Sequence, residues 1–273
     1  ENKVGSPDVV GLFEFYVKNE KRMLFGLTKV PAELLVWAVD STSPIEEMQW
    51  ANDKFMGNRK VGSLFFQIEY DYDHLRKGTP KKVTKAGYSL PNILKHGGVC
   101  IDQAYFAVMV GKSIGVPTAL VSAQSAEVGH AWVGFFEARG RRGAWNFDIG
   151  RYSAYQGIRG NAENPQTRKT IPDSYVSVLA ELIGTRTEDR WAATAFTDAA
   201  NHLAAQGEAF RPDPITDLGE RGPRLSPRVN DCDAQLQLLE AGLRRTAGYD
   251  RAWFAIRDLA AKGGMGLKKK KKW

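Results

Sequence analysis

The chain has 273 residues, of which 43% are hydrophobic and 25% charged, the makeup of a globular protein of one or two domains rather than a disordered or fibrous chain. Five of its seven net positive charges lie in Lys268–Lys272; the rest of the chain is nearly neutral and lacks the basic face that nucleic-acid binding requires. Two cysteines, Cys100 and Cys232, allow at most one disulfide and show no metal-type spacing, so a disulfide framework is excluded.

In chain order, Ser6 and Pro7 open a helical pattern that reaches about Leu35. Ser43 and Pro44 repeat that start signal ahead of "IEEMQWANDKF", a Ser cap with Pro in the first turn. Residues 1–87 are therefore expected to be mainly helical. Residues 61–73, "VGSLFFQIEYDYD", fit a strand or a buried helical end equally well. The acidic alternation at its end lacks the glycine and terminal glutamate of a calcium loop and reads as a solvated edge. Residues 74–90 are polar, with glycines and a proline, and read as a surface connection.

"GGVCIDQAYFAVMVGKSIGVP", residues 97–117, follows. Its apolar run predicts a helix opened by Cys100 and stopped by Gly115-Val116-Pro117. "TALVSA", "HAWVGFFEA" and "AWNFDIG" read as three strands, the last two joined by a charged turn, "RGRR" at 139–142. A polar loop is expected beyond Tyr152. Four helical patterns then extend to residue 265, interrupted by the Pro- and Gly-rich segment 210–227. The last two patterns, around Trp253, Ala255, Ala260 and Ala261, suggest a hairpin of tetratricopeptide type, one unit rather than an array. Residues 266–273 form a lysine-rich tail. The "GKS" at 111–113 is not a phosphate loop, because Phe106 stands where that motif needs glycine.

A helix N-terminus favours thiolate through its free N–H groups and its dipole, so Cys100 is a candidate nucleophile. Gly97 and Gly98 leave room for a carbonyl to approach, and their N–H groups are candidate oxyanion donors. Such a thiol needs a base and an orienting group. His130 opens the second strand and Asp148 lies on the third, so a hairpin would set them side by side. Asn92, Gln103 and the Cys100 amide are further oxyanion candidates, Asn92 being favoured by its position before the nucleophile, and Trp132 is either a core residue or a wall of the cleft. The plainer readings are a buried structural thiol, a core histidine and a carboxylate paired with Arg151. A metal site has no ligand spacing to support it, and no cofactor is expected.

The ordered set "GGVC…GVP", "HAW" and "WNFD" resembles the transglutaminase-like superfamily, in its compact bacterial form, over about residues 88–152. The resemblance implies an α+β, papain-like core of a nucleophile helix packed on a small antiparallel sheet. Cys100 would be the nucleophile, His130 the base and Asp148 its partner. It implies attack on peptide or side-chain amides through a thioester. Hydrolysis is the default outcome, with amine-accepting protein crosslinking, or a non-catalytic binding module on the same fold, as alternatives. The expected domains are thus 1–87, 88–160, 161–265 and the tail 266–273.

The expected partner is a protein or peptide substrate, without nucleic acid, and the C-terminal helices offer a surface for protein contacts. No stretch is apolar enough to span a membrane. The first residue is Glu rather than Met, which fits a removed targeting segment; the expectation is a soluble protein, extracytoplasmic if such a segment is genuine.

Overall fold

A computed structural model describes residues 8–124, 129–139, 142–183, 185–209 and 228–261. The chain divides after Ile183 into two compact units. The first is mixed α and β; among its described residues are α1 (Val9–Asn19), α2 (Ala32–Val39), α3 (Ile45–Phe55), α4 (Tyr72–Lys77), α5 (Lys82–Ala86), α6 (Leu90–His96) and α7 (Cys100–Ser113). The five strands β1 (Thr118–Gln124), β2 (Gly129–Arg139), β3 (Arg142–Asn146), β4 (Asn161–Glu163) and β5 (Thr170–Pro172) follow, then α8 (Asp173–Val178). They form one antiparallel sheet in the order β3-β2-β1-β4-β5.

α7 is the centre of this unit. Eleven of its residues are buried, from Asp102 to Ser113 with Tyr105 half-buried, so it is held by packing on all sides. Phe106, Ala107 and Val110 join Leu64, Phe65, Trp132, Val133 and Phe135 in one core. The helix ends because Gly115 takes φ +78°, a left-handed conformation suited to glycine; a Cβ there would also sit 2.6 Å from that of Met23.

Lys112 carries a charge into this apolar packing. The Nζ of Lys112 donates to the carbonyls of Trp37 at 2.7 Å and Thr118 at 2.9 Å and to the carboxylate of Asp40. Desolvating an ammonium costs several kcal/mol; here three acceptors offset that cost and join α2, α7 and β1. The lysine of "GKS" is thus a structural staple.

Several elements differ from the sequence reading. α1 is capped by Asp8, whose carboxylate accepts from the N–H groups of Val10 and Gly11; Ser6 lies outside the described residues. Residues 61–67, open between a strand and a buried helical end, form a 3-10 helical segment. Asp71 is not on a solvated edge. It is buried, accepting from the N–H groups of His74 and Lys82. β3 stops at Asn146 instead of running to Gly150, because Asn146 Oδ1 accepts the Asp148 N–H at 3.0 Å and turns the chain. The polar stretch beyond Tyr152 contributes β4 and β5, so the sheet continues past residue 160, where a boundary was expected.

The second unit is helical, with α9 (Thr187–Ala209), α10 (Arg228–Arg245) and α11 (Asp250–Ala261). Ala193, Leu236, Leu239, Tyr249, Ala252, Ile256 and Leu259 form its core. Trp253 donates through its indole N–H to the Ala247 carbonyl at 2.7 Å, tying α11 to the turn before it. The segment 210–227, the lysine-rich tail and Gly140-Arg141 of the charged turn lie outside the described residues.

Candidate active site

Cys100 begins α7 and His130 begins the body of β2, and both line one open cleft of about 450 Å³. Ile101, Ser122, Gln124 and Asn161 are among its other walls. The thiol is partly exposed, as a nucleophile must be. No hydrogen bond joins it to the imidazole among the described residues; catalytic hydrogen bonds are commonly long before substrate arrives.

The imidazole is tightly fixed. His130 Nε2 lies 2.6 Å from the Gly150 carbonyl oxygen, and its ring stacks on Tyr152 at 4.1 Å and 20°. Tyr155 packs at 4.9 Å. A carbonyl only accepts, so Nε2 carries the proton and the lone pair of the neutral ring is on Nδ1. Burial pulls the His130 pKa below its ordinary value, and the bond to Gly150 opposes that in part. The lowered pKa favours the neutral ring near pH 7.

Asp148 does not occupy the orienting position that the sequence suggested. It is exposed, and its carboxylate makes no hydrogen bond or ion pair among the described residues. The sheet register explains this. Phe135 pairs with Asn146, and carried onward the same register sets His130 opposite Arg151, three residues beyond Asp148. The turn closed by Arg151 N–H on the Asp148 carbonyl at 3.2 Å then presents the Gly150 carbonyl to the ring. Gly150 has φ +80°, and Phe65 carbons lie 3.0 Å from where a Cβ would be. Arg151 does not pair with Asp148 either: it donates to the Tyr155 and Ile158 carbonyls, lies 3.7 Å from Asp173 and covers the Trp132 ring.

The expected oxyanion donors are engaged elsewhere. Asn92 gives its amide hydrogens to the Ala86 and Gly87 carbonyls, both at 2.9 Å. Gln103 donates to the Ile68 carbonyl at 2.8 Å. The Gly97 N–H bonds to Ile93 and the Gly98 N–H to Glu69. These glycines serve close backbone approach instead: a Cβ on Gly97 would be 2.3 Å from the Glu69 carbonyl oxygen, and Gly98 bridges to Tyr70. Trp132 is fully buried, so it is core and not cleft wall.

Two residues that the sequence reading passed over stand by the thiol. Tyr70 is carried there by the Gly98 bridge, and Tyr152 by the turn after Gly150. Burial raises both phenol pKa values, and negative charge on Cys100 raises them further. A hydrogen bond at the Cys100 backbone holds that of Tyr70 down in part. The aromatic alternation in "EYDYD" was the available signal for Tyr70; a backbone carbonyl such as that of Gly150 leaves none.

Asp102, fully buried in the first turn of α7, fixes the nucleophile's helix. Its carboxylate accepts from Lys81 Nζ at 2.7 and 3.0 Å, from the Tyr88 hydroxyl at 2.9 Å and from the Val99 N–H at 2.9 Å. The Tyr88 phenol is pushed far up by burial first and by the Asp102 charge next.

No group of three or more His, Cys, Asp or Glu able to hold a metal occurs among the described residues, and none of their helices is long and apolar enough to cross a membrane. No family model, no curated protein and no solved structure matches the chain.

Proposed function

We propose that the protein is a cysteine-dependent enzyme of transglutaminase-like type that attacks peptide or side-chain amides through a thioester. The observation that supports this best is the shared cleft of Cys100 and His130, with the histidine locked as the Nε2–H tautomer by Gly150. Cys100 Sγ gives its proton to His130 Nδ1 and attacks the amide carbon, placing the carbonyl electron pair on oxygen. Collapse of that adduct expels the amine, which takes the proton back from Nδ1. Water or a second amine then resolves the thioester, with Nδ1 again as base.

The Gly150 carbonyl takes the place of a triad carboxylate. It keeps the ring oriented, as the third member of such sites does, without adding a charge. With Asn92, Gln103, Gly97 and Gly98 committed elsewhere, the Cys100 N–H, which meets the Tyr70 oxygen, and the Tyr70 and Tyr152 hydroxyls are the donors beside the thiol for the oxyanion.

A non-catalytic binding module is the second reading, favoured by the missing thiol–imidazole hydrogen bond. The two are separated by mixing the protein with a pool of peptide amides, with and without a primary amine, and reading intact mass. A covalent acyl adduct absent from Cys100→Ala supports the enzyme, and its shortening lifetime with amine identifies transfer. No adduct under any of these conditions sinks the enzyme reading.

A further inference from the structure

Three groups of one short segment hold the His130 imidazole: the Gly150 carbonyl on Nε2, the Tyr152 ring at 4.1 Å and the Tyr155 ring at 4.9 Å. Arg151 stands among them in the chain. Its guanidinium donates through Nε to the Tyr155 carbonyl at 3.0 Å and through Nη2 to the Ile158 carbonyl. Its Nη1 lies 3.7 Å from Asp173 Oδ2, and its face covers the Trp132 ring at 5.1 Å. One side chain therefore bonds the segment that carries all three contacts of the imidazole.

Backbone bonds fold that segment on itself: the Tyr155 N–H meets the Tyr152 carbonyl at 2.9 Å and the Ile158 N–H the Tyr155 carbonyl at 3.1 Å. The guanidinium ties the folded segment to distant elements, to β2 through Trp132 and to Asp173 at the start of α8. A rigid planar fork can hold two carbonyls at once while its face lies on an indole, which an ammonium cannot do. Both partners are largely covered, the Arg151 side chain being 15% exposed and that of Asp173 12%, so salt screens the pair little. Asp173 supplies the countercharge and is itself fixed, because Oδ2 also accepts the Gly160 N–H at 3.1 Å. Gly160 permits that approach: a Cβ there would lie 2.6 Å from Asp173 Oδ2 and 2.7 Å from the Trp132 ring.

We infer that Arg151 is a positioning residue of this site: by tying the Tyr155 and Ile158 carbonyls to Trp132 and Asp173, its guanidinium keeps the Gly150 carbonyl on His130 Nε2. The proton then stays on that nitrogen, and the lone pair on Nδ1. The inference rests on the proposed enzyme reading for its consequence, since the orientation of the imidazole matters to catalysis only if Cys100 needs a base.

The test is nuclear magnetic resonance of the full chain labelled with nitrogen-15 in its four histidines, the His130 signals being assigned by their loss in His130→Asn. The parent is expected to show an Nε2–H proton of His130 shielded from exchange with water. Arg151→Met keeps an apolar cover on Trp132 but has no N–H donor; it is expected to speed that exchange by at least about tenfold, one decade in the opening of the bond, with the His74 and His96 signals in place. An exchange rate that Arg151→Met leaves unchanged makes the arginine structural only and overturns the inference. Absence of the shielded proton in the parent overturns it without any variant. If Arg151→Met does not fold, Arg151→Lys, which keeps a charge beside Asp173 but loses the fork, is read in the same way. Cys100 labelling by iodoacetamide that His130→Asn leaves unchanged would instead sink the enzyme reading, which the ring proton does not test, so the two failures are distinct.

Discussion

His130 Nε2 meets the carbonyl oxygen of Gly150 at 2.6 Å, and this contact replaces the carboxylate partner that the order of the motifs suggests. It fixes which nitrogen carries the proton and leaves the lone pair on Nδ1, while Asp148 is exposed and makes no contact with the ring among the described residues.

Asp148→Asn is therefore expected to keep amide-cleaving or amine-transferring activity within about threefold, as surface substitutions usually do. An orienting triad aspartate would lose about 10⁴ in kcat. Steady-state kinetics on the variant discriminate the two, and a loss beyond about a hundredfold would restore Asp148 to the mechanism.

The His130 imidazole is expected to titrate below the usual value of about 6.5, because burial lowers its pKa more than the Gly150 bond raises it. The sign for stability follows. Just below pH 6.5 the unfolded chain binds a proton that the folded protein resists, so this residue's contribution turns against folding as pH falls through that window. Nuclear magnetic resonance of the ring protons gives the midpoint directly; a value above 6.5 would contradict the buried neutral imidazole.

Tyr70→Phe keeps the ring that packs at 5.0 Å on Tyr72 and removes only the hydroxyl. If that hydroxyl and the one on Tyr152 are the oxyanion donors, kcat should fall by about 10² with KM little changed, the usual effect of losing one donor. Alkylation of Cys100 has no oxyanion and should proceed at nearly the parent rate. Loss of both together would mark Tyr70 as a structural residue only.

Asp102→Ala should destabilise the protein by about 1–3 kcal/mol, the cost of leaving buried donors unsatisfied, because it takes the acceptor from the Tyr88 hydroxyl and the Val99 N–H. Urea denaturation measures this. A change below about 1 kcal/mol, the range of exposed ion pairs, would show that the network contributes little.

The local features of the site were open to sequence reasoning. "GGVC" announced a helix with a thiol in its first turn, "GVP" its end, and "HAW" a strand, because caps, stops and alternation are written in neighbouring residues. The choice of Gly150 over Asp148 depends on how many residues separate His130 from its register partner across β2 and β3, and on Asn146 ending β3 early. β4 and β5 are three residues each, too short for alternation to show. Asn92, Gln103 and Gly98 were plausible donors by position, yet their hydrogen bonds go to backbone carbonyls whose locations only tertiary packing sets. Lys112 makes the same point. A lysine near the end of an apolar helix reads as exposed until α2 and β1 bring Asp40, Trp37 and Thr118 to it.

The central claim, a thiol activated by a neutral histidine in one cleft, is tested most directly by the rate of Cys100 alkylation by iodoacetamide between about pH 5 and pH 9, with peptide mapping to exclude Cys232. Cys100 is expected to label in the folded protein, and His130→Asn to slow that labelling by at least about tenfold. Cys100 that labels only on unfolding, or a profile that His130→Asn leaves unchanged, would contradict it.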